Sequence, residues 1–293
     1  MMRSKPVIAW RKTFPIRWGS GAFAPGHGPA LALALLISIA LAAPGAARDR
    51  GADGKFEKRE SSHFVLYQDV DIDESGGLRG SRRFEQQVLD ELERAYRLLD
   101  KLLGLRPGRR LDVIVYDRAI FDQQFAGRFR FSAAGFYNGV IAIRGDTVVT
   151  TQLARVLHHE LVHAALDAAA PSLILPAWLN EGVAEWFEAR AMSKRYLSPG
   201  ELGYLKRAWS AGAMLPIDKL SAPSFAGMGP EAASLAYLQS YGMIEYLART
   251  FGEKSLARFL EGVIQSRSID RAMSRSFRMT VFDLESRFMA EFS

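Results

Sequence analysis

The chain of 293 residues contains no cysteine. That removes thiol nucleophiles and cysteine-ligated zinc from the available chemistries, and it leaves stability to packing rather than to disulfides. An exported protein is free to form disulfides but is not obliged to, so the absence says little about compartment. There is also no apolar run of the roughly 20 residues that a membrane-spanning helix needs, no internal repeat, and no low-complexity tract beyond the N-terminal segment. An excess of positive charge, suggested by a formal net charge of +6, is missing from most of the chain as well. Residues 1–47 hold Arg3, Lys5, Arg11, Lys12 and Arg17 with no acidic residue, so the remainder carries 33 basic against 32 acidic residues. Such a body has no strong attraction for a polyanion, and nucleic acid is not expected as a partner. Gly127-Arg128-Phe129-Arg130-Phe131 interleaves cations with aromatics, but no wider basic patch surrounds it, and an exposed strand or loop is the expectation there.

What is present is an ordinary globular balance, 48% hydrophobic and 24% charged. The basic N-terminal stretch leads into Ala30–Ala43, an apolar run of 14 residues, and then into Pro44-Gly45-Ala46-Ala47. A basic start, an apolar centre and a small-residue exit are the parts of a secretory signal. Residues 1–47 therefore read as a signal peptide, or as a membrane anchor if residues 30–43 stay uncleaved, and an exported location, periplasmic or extracellular, is expected. Residues 48–57 read as a polar linker.

From residue 58 the texture is mixed. Ser62–Tyr67 and Leu111–Tyr116 have strand composition, and Gly135–Ile143 reads as a hairpin turning at Asn138-Gly139. Phe84, Val88, Leu92, Tyr96, Leu99 and Leu103 recur at helical spacing over residues 81–103, stopped near Gly104 and Pro107, and a short helix is expected over 118–126. Helical periodicity then governs residues 147–169, 178–192, 198–210, 231–251, 253–266 and 281–291. The expected fold is α+β over residues 58–192, a small mixed sheet with helices, followed by a helical lobe over 193–293.

The chemistry sits in His159-Glu160-Leu161-Val162-His163. Histidines at i and i+4 of a helix share a face, so both imidazoles can reach one ion. Glu160 lies on the adjoining flank, placed to take a proton from water without being a ligand itself. A catalytic zinc asks for a third protein ligand, and a candidate follows in Trp178-Leu179-Asn180-Glu181-Gly182-Val183-Ala184-Glu185-Trp186. His158 faces elsewhere and reads as packing. Trp178 and Trp186 read as core, which makes a solvated face for Glu181 and Glu185 improbable.

HExxH followed by this WLNEG segment, with 17 residues between His163 and Glu181, resembles the gluzincin zinc metallopeptidases, the class of thermolysin and the membrane alanyl aminopeptidases. The sequence is more closely similar to the exported peptidase MA-like proteins, over most of residues 58–290. The resemblance implies a zincin-like fold and one zinc ion held by His159, His163 and Glu181, with Glu160 as catalytic carboxylate. It also implies that Glu185 hydrogen-bonds His159 and orients it. Gly182 is expected to let its helix come close to the HExxH helix. Ala236–Leu247 is similar to the segment in which aminopeptidases carry an oxyanion-binding tyrosine; Tyr237 matches that tyrosine, with Tyr241 as the alternate. Gln239 and Ser240 depart from the family's Lys and Gly. No GxMEN loop for a free amine occurs, which points to an endopeptidase or oligopeptidase acting on peptide or protein. The edge of the 135–143 hairpin is a place for an extended peptide to lie. The competing reading is a catalytically silent zinc-binding scaffold of the cell envelope.

Overall fold

In a computed structural model of the protein, residues 56–69, 78–125 and 134–293 are described. Residues 1–47, expected to be a signal or anchor, and Gly127–Phe131 lie outside the described residues. The expected linker runs at its end into a strand, β1 (Phe56–Glu60), which pairs antiparallel with β2 (Phe64–Asp69). A 26-residue helix, α1 (Leu78–Leu103), then crosses over to β3 (Leu111–Tyr116), parallel to β2. Gly104, at φ +66°, closes α1 with its N–H on the Asp100 carbonyl, a left-handed cap that glycine adopts without strain. After the short α2 (Arg118–Phe125) come β4 (Gly135–Tyr137) and β5 (Ile141–Arg144), an antiparallel hairpin whose turn holds Gly139 at φ +78°. β5 pairs parallel with β3, so the sheet order is β1-β2-β3-β5-β4, with β4 on the edge.

Alternation decides what each face covers. Ile114, Tyr116, Phe136 and Ala142 point to one side and pack with Phe121 and Phe125 of α2. Val113, Val115, Ile141 and Ile143, all fully buried, take the opposite side, and α1 and α3 (Thr151–Ala169) pack on the sheet and on each other. Gly135 is what lets α3 meet the edge strand: a Cβ there would stand 2.8 Å from Val156 Cγ1.

The rest is helical: α4 (Ala177–Ala191), α5 (Pro199–Ser210), the single turn α6 (Ile217–Leu220), α7 (Pro230–Phe251), α8 (Glu253–Ser266), α9 (Ile269–Phe277) and α10 (Val281–Met289). The fold is α+β, as the spacing predicted, with a helical second half. α7 is buried through nearly its whole length and is the partner on which α4 lies. Gly182 serves that contact. A Cβ there would meet the Ser240 carbonyl oxygen of α7 at 2.7 Å and Ile244 Cγ1 at 2.8 Å. The expectation that Gly182 faces the HExxH helix is thereby corrected: it lies about 100° around the helix from Glu181, and α7 occupies that side. Among the described residues no helix is both long and apolar enough to cross a membrane.

Candidate metal centre

α3 begins at Thr151 because the Leu153 N–H donates to the Thr150 hydroxyl, capping the first turn. Residues 151–169 contain neither Gly nor Pro, so the helix runs unbroken through 159 and 163. Beyond it Pro171 and Pro176 bracket a short loop, and α4 starts at Ala177 with Pro176 as its N-cap. Along their contact the two helices run in opposite senses: His163 meets Asn180 and Glu181, His159 meets Glu181 and then Glu188, and Arg155 meets Glu188.

Glu181 Oε2 stands 3.3 Å from His159 Nε2 and 3.5 Å from His163 Nε2, and one donor atom from each of the three residues falls within 4.8 Å of the others. Tetrahedral zinc with bonds of about 2.0–2.1 Å separates neighbouring donors by about 3.3–3.4 Å. The donor set therefore suits zinc in both spacing and kind. The other ring nitrogens are served from α4. His163 Nδ1–H donates to Asn180 Oδ1 at 3.1 Å, which frees Nε2 to act as a lone-pair ligand. Nδ1 of His159 faces two carboxylates, Glu188 Oε2 at 3.6 Å and Glu185 Oε1 at 3.9 Å. Glu185, expected to hold His159, comes near it, but Glu188 comes nearer and is itself ion-paired to Arg155. Glu188 escaped the sequence reading. Its signal was there: Glu181, Glu185 and Glu188 fall at i, i+4 and i+7, one helix face.

Glu160 is buried, and neither of its carboxylate oxygens has a hydrogen-bond partner among the described residues; the same holds for His163 Nε2 and His159 Nδ1. The backbone N–H of Tyr137, on β4, is close enough to favour the ionised form of Glu160 without closing a hydrogen bond. Unpartnered buried polar groups cost about 1–3 kcal/mol each. Four carboxylates, Glu160, Glu181, Glu185 and Glu188, thus gather around two imidazoles and one guanidinium, an arrangement that calls for a cation.

The electrostatics show how the groups share charge. Burial pushes the Glu181 carboxyl up, but the neighbouring His163 and His159 outweigh it and hold the pKa at about 2. Burial would lower His159, yet the hydrogen bond to Glu181 and the Glu188 carboxylate facing Nδ1 carry it well above the usual histidine range. Burial, with the negative charge of Glu188 added, lifts Glu185 to about 8. Glu188 is pushed up by burial too, but His159 and Arg155 bring it below the ordinary carboxylate value.

Tyr237, on α7, is buried, packs edge-on against Phe225 at 5.2 Å, and has its phenol pushed far up by burial and by the charges of Glu181, Glu185 and Glu160. The structure therefore puts Tyr237 in the field of the same carboxylates as the histidines. Tyr241 lies one turn on, its ring under Lys194 Nζ at 4.8 Å, and responds first to burial and to Glu201. His158 turns away from the cluster: its Nε2 meets Glu91 Oε1 of α1 at 2.6 Å.

A mixed sheet backed by an HExxH helix, with a second helix bringing a carboxylate to the two imidazoles, defines the zincin-like class of metallopeptidase folds. The family model of the Peptidase MA superfamily matches residues 95–292, and the chain belongs to that superfamily. A search of curated proteins returned no match. Membership brings peptide-bond hydrolysis on a zinc-metallopeptidase-type fold, a metal, and peptide or protein as substrate.

Proposed function

We propose that the protein is a zinc-dependent endopeptidase or oligopeptidase of the gluzincin type that works outside the cytoplasm, with residues 1–47 directing its export. The observation that carries this is the convergence of His159 Nε2, His163 Nε2 and Glu181 Oε2 at 3.3–3.5 Å, beside a buried Glu160 whose carboxylate oxygens lack partners among the described residues. His159, His163 and Glu181 would hold one zinc ion, which would supply Lewis-acid chemistry at the site. Glu160 accepts the proton of the attacking water and passes it to the leaving amine. Its burial favours that role, since a carboxyl with a raised pKa holds the proton between the two transfers. The Tyr237 hydroxyl donates to the carbonyl oxygen as charge builds there; its phenol stays protonated because burial and three carboxylates oppose ionisation. Asn180 keeps His163 in the tautomer that ligates. An extended substrate lies along β4, the edge strand of the described sheet, by strand addition, where the Tyr137 amide stands close to Glu160.

The test is purified protein against a quenched peptide library, with metal analysis, with and without a chelator, and in the Glu160→Gln variant. The expected result is one zinc per chain, chelator-sensitive cleavage, and a variant that keeps its zinc but does not cleave. Turnover retained by Glu160→Gln overturns the mechanism. Zinc uptake without cleavage of any peptide would identify a scaffold instead.

A further inference from the structure

A ligating imidazole is held in place by whatever accepts the N–H of its other nitrogen. For His163 that acceptor is Asn180. For His159 two carboxylates of α4 compete, and they are not equivalent. Glu185 approaches to 3.9 Å and has no salt-bridge cation of its own among the described residues. Glu188 approaches to 3.6 Å with Oε2, while its Oε1 accepts from Arg155 Nε at 2.5 Å. Arg155 lies one turn before His159 on α3, so the guanidinium and the imidazole stand on the same helix face. One carboxylate thus stands between both, Oε1 bonded to the arginine and Oε2 3.6 Å from His159 Nδ1, nearer than Glu185 though short of a closed hydrogen bond. The Glu188 side chain is 7% exposed and the His159 side chain 0%, so little solvent reaches the space between those two, while the Arg155 side chain is 34% exposed.

We propose that Glu188, clamped by Arg155, is the positioning residue for His159, and that Arg155 acts on the metal centre through it. A carboxylate pinned at one oxygen presents the other in one place, which orders the imidazole before a ligand arrives. Glu185, without such a clamp, keeps more rotamer freedom and orders the ring less. The proposal rests on the reading of His159 as a zinc ligand.

The experiment measures zinc affinity by chelator competition on the purified full chain, with apo-protein melting as a check on folding. Glu188→Gln is expected to weaken zinc binding by about 10–100-fold, and Glu185→Gln by a smaller factor. Arg155→Met should approach the Glu188→Gln loss, Arg155→Lys should recover part of it, and the Arg155→Met, Glu188→Gln double variant should lose little more than either alone. That non-additivity is what action through one residue requires. In the cobalt-substituted protein, the visible spectrum should shift in Glu188→Gln. A wild type that takes up no zinc overturns the metal-centre reading and this proposal with it. A wild type that binds zinc, with Glu185→Gln losing as much as Glu188→Gln or more, overturns this proposal alone. So do additive losses at 155 and 188. If Glu188→Gln does not fold, the Arg155 pair decides: equal affinities in Arg155→Met and wild type overturn the proposal.

Discussion

Protons and the metal compete for the same side chains at this site. His159 holds a proton more tightly in the folded chain than in the unfolded one, and Glu185, lifted to about 8, does the same. Groups raised on folding contribute stability that is complete below their unfolded values and disappears as pH rises through the folded ones. Glu181, held at about 2, works in the opposite sense, contributing above the ordinary value of 4.5 and losing that contribution as pH falls toward 2. Metal-free protein is therefore expected to lose melting temperature as pH rises from about 5 to about 8, and again as pH falls below about 4.5. Zinc should reverse the first trend, since a ligating imidazole must shed its proton and affinity then grows with pH. Thermal melts of chelated and zinc-loaded protein across that range check both signs; a gap between them that narrows with rising pH would contradict the assignment of His159 as a ligand. Under the proposed mechanism Tyr237→Phe removes one oxyanion donor and should lower kcat by about 100- to 1000-fold while zinc content stays stoichiometric. Steady-state kinetics and metal analysis on that variant measure the two separately.

Two helix contacts carry the site. α3 brings the imidazoles and α4 the Glu181 carboxylate, but α4 is itself set by α7 at Gly182. Alanine at 182 would gain about 1 kcal/mol in helix propensity and lose about 1–3 kcal/mol to overpacking against the Ser240 carbonyl, which cannot rotate away. Overpacking should win, so Gly182→Ala is expected to lower stability in denaturant titrations and to weaken zinc binding as Glu181 shifts. α3 and α4 could be placed from sequence by their dense apolar content and the motif residues they carry, although α4 is buried nearly all round and is not amphipathic. β1 and α9 could not. β1 reads Phe-Glu-Lys-Arg-Glu, the charged texture of an edge strand that is protected from further pairing. α9 does carry an apolar stripe, Ile269, Ala272, Met273 and Phe277 at i, i+3, i+4 and i+8, but at nine residues it is too short to stand out from a run otherwise rich in Arg and Ser.

For the molecule as a whole, a bound ion adds stability by mass action, about 2.7 kcal/mol at a free concentration of 100 Kd. In a domain of this size that corresponds to a melting-temperature rise on the order of 5–10 °C, which chelator should remove and zinc restore. Export is tested separately: residues 1–47 fused to a reporter should carry it out of the cytoplasm, and a reporter retained inside would overturn that part of the proposal. The pairing of His159 and His163 on one face, the position of Glu160 beside them and the helix that carries them follow from the chain alone, because one turn of helix brings residues four apart onto one side. Three things waited on the tertiary structure: that Glu181 comes to the imidazoles, that Gly182 answers to α7, and that Glu188 stands nearer to His159 than Glu185 does. Each is a distance between helices, and a periodicity of 3.6 residues gives the direction of a side chain without saying which neighbour it will find.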